Sequence, residues 1–125
     1  MITFMSFNDE VQAAVSNGDI GVGFLIDDNG NQYWNVGEWE GFNPHQVLME
    51  WKKAGMSAIT VGNLKFTVIG KTDVRLVSTN VGGQGHLIGA KCTNWAGYLI
   101  CWCPAALPPD ASYSVVQKLA DLVRA

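Results

Sequence analysis

Two histidines and three cysteines hold most of the catalytic or metal-binding potential of this 125-residue chain. If Thr93 to Ala96 close a four-residue hairpin, Cys92 faces Gly97, Ile88 faces Cys101 and His86 faces Cys103, which makes an imidazole and two thiols neighbours. Zinc sites usually take four ligands at CxxC-like spacing, and no fourth His or Cys is in register. The reading is therefore buried thiols beside a surface histidine, with no metal. His45 sits early in a predicted helix near Glu50, and His86 starts a predicted strand. Neither has a Ser or Cys on a strand-to-helix elbow beside it, so no catalytic residue is expected and the chain does not read as an enzyme. Val81-Gly-Gly-Gln-Gly85 has the glycine density of a phosphate loop, but such loops open a helix whose N–H groups point at the anion. Here a strand follows, so the segment reads as a turn and no cofactor is expected.

Binding chemistry is better represented. Of five tryptophans, Trp51 and Trp102 lie on apolar stripes and read as core, whereas Trp39, between Glu38 and Glu40, and Trp95, in a hairpin turn, read as exposed. The net charge of −3 hides a polarity: residues 1–50 hold eight acids and no Lys or Arg, and residues 51–125 hold eight bases and three acids. Halves of −8 and +5 can steer an acidic partner onto one face. Lys65, Lys71, Arg75 and Lys91 are too sparse, on an acidic protein, for a nucleic-acid surface.

These residues must be positioned by elements that the apolar periodicity outlines. Phe4, Phe7, Val11, Ala14 and Val15 give a one-faced helix from about Thr3 to Ser16, stopped by Asn17-Gly18. Strands follow at Ile20–Ile26 and Gln32–Val36 around Asp27–Asn31, and then a helix capped by Asn43-Pro44 that runs to Ala54 before Gly55. Five strands come next: 57–60, 64–70, 74–79, 86–92 and 97–103. Asp110 or Ser112 is expected to cap a last helix striped by Val115, Val116, Leu119, Leu122 and Val123. Short connections make the neighbours antiparallel, and strands apolar on both sides ask for helices on both faces. The fold class is α+β: a central antiparallel sheet with the N- and C-terminal helices on one face and the middle helix on the other. A 48% apolar fraction, 15% charge and mean hydropathy of +0.11 suit one globular domain over residues 1–125. Three cysteines, two of them in an apolar run, suggest a reducing cytoplasm. Met1-Ile-Thr-Phe lacks a basic lead-in, and the apolar stretch from Trp95 to Leu107 is too short for a bilayer, so neither export nor membrane insertion is expected.

Val61-Gly-Asn-Leu-Lys-Phe-Thr-Val-Ile69, the Asp27-x-Asn-Gly-x-x-x-Trp34 hairpin, Phe42-Asn-Pro44 and the closing Val115-Val-Gln-Lys-Leu-Ala-Asp-Leu122 together resemble profilin. The resemblance runs along nearly the whole chain, and the short loops are most similar to the compact archaeal-type profilins. It implies a cytoplasmic, cytoskeleton-associated, monomeric protein that binds the actin monomer and regulates its polymerisation. The actin-binding positions that it implies are Met56, Lys65, Thr67, Gln84, His86, Lys91, Asp110 and Tyr113, with Arg75 added by proximity. These lie in the basic half, so charge and resemblance point to one region. The resemblance also implies a site for proline-rich peptides at Phe4, Phe7, Trp34 and Leu122. There two donor-bearing rings are replaced by Phe and the last ring by an aliphatic chain, and binding is expected to be weak or absent. Phosphoinositide binding is left open. The alternative reading is a roadblock- or longin-like dimeric scaffold or GTPase-regulator domain.

Overall fold

A computed structural model describes residues 5–124, so the expectation for Phe4 lies outside the described residues. Helix α1, Met5–Ser16, buries Phe7, Val11 and Ala14 at the spacing read from the sequence. It ends where Gly18 takes φ +80°, the Gly18 N–H donating to Val15 and the Asp19 N–H to Ala14. These paired bonds satisfy carbonyls that the helix end leaves open. Strands β1, Val22–Asp27, and β2, Gln32–Val36, form the first hairpin. Its turn is held by Asp27 Oδ1, which accepts from the Asn29 and Asn31 N–H groups at 2.9 and 3.0 Å.

Helix α2, Pro44–Lys52, starts as expected, with Asn43 accepting from the Gln46 N–H and Pro44 in its first turn. It stops at Lys52 rather than Ala54, because Lys53 already has an extended backbone (φ −74°, ψ 133°). Strands β3 (Ala58–Val61), β4 (Leu64–Lys71), β5 (Arg75–Thr79), β6 (His86–Lys91) and β7 (Gly97–Cys103) follow, and α3, Pro109–Ala120, closes the fold. Neither Asp110 nor Ser112 caps α3. Pro108 is the cap residue and makes no side-chain cap bond, Pro109 occupies the first turn, and Ser112 is buried with its Oγ unpartnered among the described residues. Two consecutive prolines pre-set the entry, since φ near −65° suits the first helical turn and no N–H is left to satisfy at Pro109.

The seven strands form one antiparallel sheet in the order β2-β1-β7-β6-β5-β4-β3. On one face α1 and α3 cover Leu25, Val77, Ile88, Ala90, Leu99 and Cys101; on the other α2 covers Val22, Phe24, Ile26, Leu76, Leu87 and Ile100. The two-sided covering expected from the apolar strands is the one observed. Trp51 shows how tightly α2 is seated: its indole N–H donates to the Thr72 carbonyl at 2.7 Å, and its ring lies over Gly89, where a Cβ would come within 2.7 Å. Gly89→Val is therefore expected to lower unfolding stability by about 2–4 kcal/mol, through overpacking and loss of the Thr72 bond. Urea denaturation measures this, and a loss below about 0.5 kcal/mol would mean that the indole has a second seat.

Candidate functional site

Paired residues in a sheet share a face, so the register places the expected site residues directly. Ala58, Thr67, Thr79, His86 and Cys103 are successive partners and form one row across the sheet. Cys103 belongs to the α1/α3 core, which puts the whole row on that face. Lys65, paired with Thr60, lies on the same face because Phe66 and the flanking Leu64 and Val68 pack against the α2 core. Arg75, paired with Ala90, joins them. Helix α3 lies across β5, β6 and β7 but not across β3 and β4. This leaves a bare corner of sheet with Lys65 and Thr67 exposed.

Around that corner the side chains are tied together. Arg75 donates to Asp110 Oδ1 at 3.0 Å, and its guanidinium stacks 4.5 Å from the Tyr113 ring. This couples β5 to the first turns of α3. Asn80 accepts from the Gly82 and Gln84 N–H groups and donates to the Lys65 carbonyl, which fixes the turn that presents Gln84. Met56, half-buried, precedes β3 at the edge of the same corner, where the Ser57 carbonyl accepts from Val68.

Two of the expected positions differ. His86 is not a surface histidine: it is buried, its Nε2 donates to the Leu107 carbonyl at 2.7 Å, and its Nδ1 meets the Thr79 hydroxyl at 2.8 Å. Its role is to hold the segment that feeds α3. Lys91 pairs with Tyr98, whose ring belongs to the α2 core, so it points to the opposite side of the sheet from Lys65 and Arg75. There Lys52, Lys53, Lys71 and Lys91 line one cleft of about 430 Å³ over Trp51 and Tyr98. Within it Lys52 binds Asp28 at 2.5 Å, and that hydrogen bond holds the Asp28 carboxyl below its ordinary range. Half of the chain's eight bases thus gather away from the bare corner, and the expected coincidence of the basic half with one surface holds only for Lys65 and Arg75. The sequence carried a faint sign of this in the adjacent Lys52 and Lys53.

The positions implied for proline-rich ligands are also altered by burial. Phe7 is fully buried, with its ring edge-on to Trp34 at 4.7 Å, and the Trp34 N–H already donates to Asn8 Oδ1 at 3.3 Å. Leu122 packs half-buried against the same core. Trp39 and Trp95 are half-buried rather than exposed, against Phe42 and Tyr33 respectively, while Trp102 is less covered than a core residue. Among the described residues no group of three His, Cys, Asp or Glu is placed to hold a metal ion.

Two helix-covered faces with an uncovered corner of strands define a small α+β module built on a single antiparallel sheet. The chain belongs to the profilin family. It is 64% identical over 121 residues to Heimdall profilin of Heimdallarchaeota archaeon (strain LC_2), covering 97% of this chain and all of that one. Odin profilin of Odinarchaeota yellowstonii (strain LCB_4) is 33% identical over 82 residues, which are 66% of this chain and 67% of that one. Among solved structures the fold is similar to that of Loki profilin-1 in a complex with rabbit actin (TM-score 0.73, 18% identity, 93% and 92% of the two chains). It is likewise similar to Acanthamoeba castellanii profilin IA (TM-score 0.71, 15% identity, 95% and 94%). No family model matches the chain. Membership sets aside the roadblock or longin alternative, and profilins are binding proteins, not enzymes. Among the described residues no helix is long and apolar enough to cross a membrane.

The three thiols are free and buried. Burial pushes Cys92 and Cys103 up to about 12 and moves Cys101 upward as well. An unfolded thiol ionises near its ordinary 9.0, so above that pH the native chain keeps protons that the unfolded chain has lost, and stability falls as pH rises. Each thiol contributes a slope of up to about 1.4 kcal/mol per pH unit. Urea unfolding followed from about pH 8 to about pH 11 should fall more steeply for the parent than for Cys103→Ala; equal slopes would contradict a protonated buried thiol.

Proposed function

We propose that this chain binds monomeric actin through the bare corner of the sheet beside α3, and in doing so regulates actin polymerisation. What carries the reading is the position of that corner in a member of the profilin family whose structural neighbours include two Loki profilins, each in a complex with rabbit actin. The contact set is Met56, Lys65, Thr67, Arg75, Gln84, Asp110 and Tyr113. His86 acts beneath them by holding Leu107, and Lys91 has no part, since it faces the other way. Arg75 supplies the anchor: stacked on Tyr113 and paired with Asp110, it presents a partly ordered guanidinium, and ordered Arg and Tyr side chains are favoured at the centres of interfaces. The protein acts as a monomer in the cytoplasm, in association with the cytoskeleton. Proline-rich ligands bind weakly or not at all, because the Trp34 donor is engaged and Phe7 is buried.

Lys65→Glu combined with Arg75→Glu is expected to weaken actin binding by about tenfold or more, and to flatten its dependence on salt, because rim charges act mainly on the association rate. Titration against pyrene-labelled actin monomer at low salt measures this. Unchanged affinity would move the contact surface elsewhere. A polyproline peptide titrated against tryptophan fluorescence should show no saturation below about 0.1 mM, given that each lost carbonyl hydrogen bond costs on the order of 1 kcal/mol. Saturation in the low micromolar range would show that the aromatic substitutions are tolerated.

A further inference from the structure

On the α2 side of the sheet, away from Lys65, a pocket of about 240 Å³ is lined by Val22, Glu38, Trp39, Leu64, Gln84 and Trp102. Its one formally charged lining residue is Glu38, and no Lys, Arg or His lines it. The two indoles are held in place before anything binds. The Trp102 N–H donates to the Gln84 carbonyl at 2.9 Å. Its ring occupies space left free at Gly21 and Gly85, where an added Cβ would come within 2.4 and 2.6 Å of it. Trp39 stands nearly perpendicular to it, at 81° with centroids 5.9 Å apart, and is itself packed against Phe42 at 5.5 Å and Phe66 at 6.4 Å. Glu38 and Glu40 flank Trp39 and are exposed.

A corner of two fixed indoles, two aliphatic walls and a carboxylate suits a cation that is planar, weakly hydrated and able to fork onto the carboxylate while its face lies on a ring. We propose that this pocket receives an arginine side chain presented by a partner protein. The pocket is open to solvent and has room for one side chain, so the rest of the partner's segment lies outside it. A proline helix is disfavoured here, since its carbonyls call for free indole donors and that of Trp102 is already engaged. The pocket lies across the sheet from Lys65, Thr67 and Arg75, with Gln84 bordering both surfaces, and its argument does not rest on the actin reading.

The test is an NMR titration of the full chain, following the indole N–H resonances of Trp39 and Trp102 with a capped Gly-Arg-Gly peptide and with its citrulline counterpart, which keeps the shape and removes the charge. Both resonances should shift saturably while that of Trp51 does not. The citrulline peptide should bind at least about tenfold more weakly, and Glu38→Gln, a change at an exposed position, should weaken the arginine peptide by about threefold to tenfold. Equal binding of the citrulline peptide, or of a capped Gly-Lys-Gly peptide, would overturn the proposal. So would indifference to Glu38→Gln, the same shifts from a polyproline peptide, or no saturable shift up to about 10 mM.

Discussion

Strand β7 is buried on both faces, and the rest of the structure is arranged to keep it so. Leu99, Cys101 and Cys103 need cover from one side and Tyr98 and Ile100 from the other. With β1 and β6 as its neighbours, β7 sits inside the sheet, paired with β1 over Gly97 to Trp102 and with β6 over Tyr98 to Cys103. Burying apolar area on both sides at roughly 25 cal/mol per Å² makes this the region where helix cover contributes most. Among the described residues, one pair of helices and one single helix supply it. Helices α1 and α3 pack together over one face, and α2 lies over the other.

That allocation leaves one corner of the sheet bare, the corner proposed as the actin contact. Three helices cannot cover seven strands on both sides, and the strands farthest from β7 on the α1/α3 face are β4 and β3. On that face Thr60, Lys65 and Thr67 are exposed where β5 and β6 have Val77, Ile88 and Ala90 buried. The border between covered and bare sheet is where α3 begins, and it is there that Arg75, Asp110 and Tyr113 are bound to one another. His86, at the same border, uses both ring nitrogens internally. The proposed contact surface is thus a rim, held on the helix side by these side-chain contacts and accessible on the strand side.

Charge follows a different rule. Lysines are long and well hydrated, and which sheet face they occupy is decided by the parity of their position and by any bulge that resets it. Alternation puts Lys65 and Arg75 on one face and Lys91 on the other; Lys71, on the same strand as Lys65 and six residues on, changes face at the irregularity between Val68 and Gly70, and Lys52 and Lys53 come from the end of α2. Basic residues that are mixed along the second half of the sequence therefore separate in space into a thin patch and a dense cleft. Glu38 and Glu40 are carried on the segment that brings Trp39 to Trp102, which puts acid beside aromatic rings on the α2 side.

The sequence by itself determined the elements, their order, the pairing of β6 with β7 and the two-sided helix cover. Each of these is set by local signals: apolar parity in strands, Asn43-Pro44 at the start of α2, Gly18 at the end of α1, and a hairpin short enough to fix the register of Cys92 against Gly97. The resemblance of 61–69 and 115–122 to profilin was equally legible, because it rests on residue types at fixed spacing. Only the tertiary structure decided that Lys91 faces away from Arg75, that His86 is buried, that α3 begins at a proline pair without a side-chain cap, and that Trp39 leans on Trp102 rather than standing in solvent. The burial of His86 and the seat of Trp39 depend on which distant segment covers them, the face of Lys91 on the register of β6 against β7, and the start of α3 on how the Pro108-Pro109 backbone enters the helix. A pattern of neighbours along the chain records the parity of a position, and the solvent it meets is set by packing between elements that are far apart in sequence.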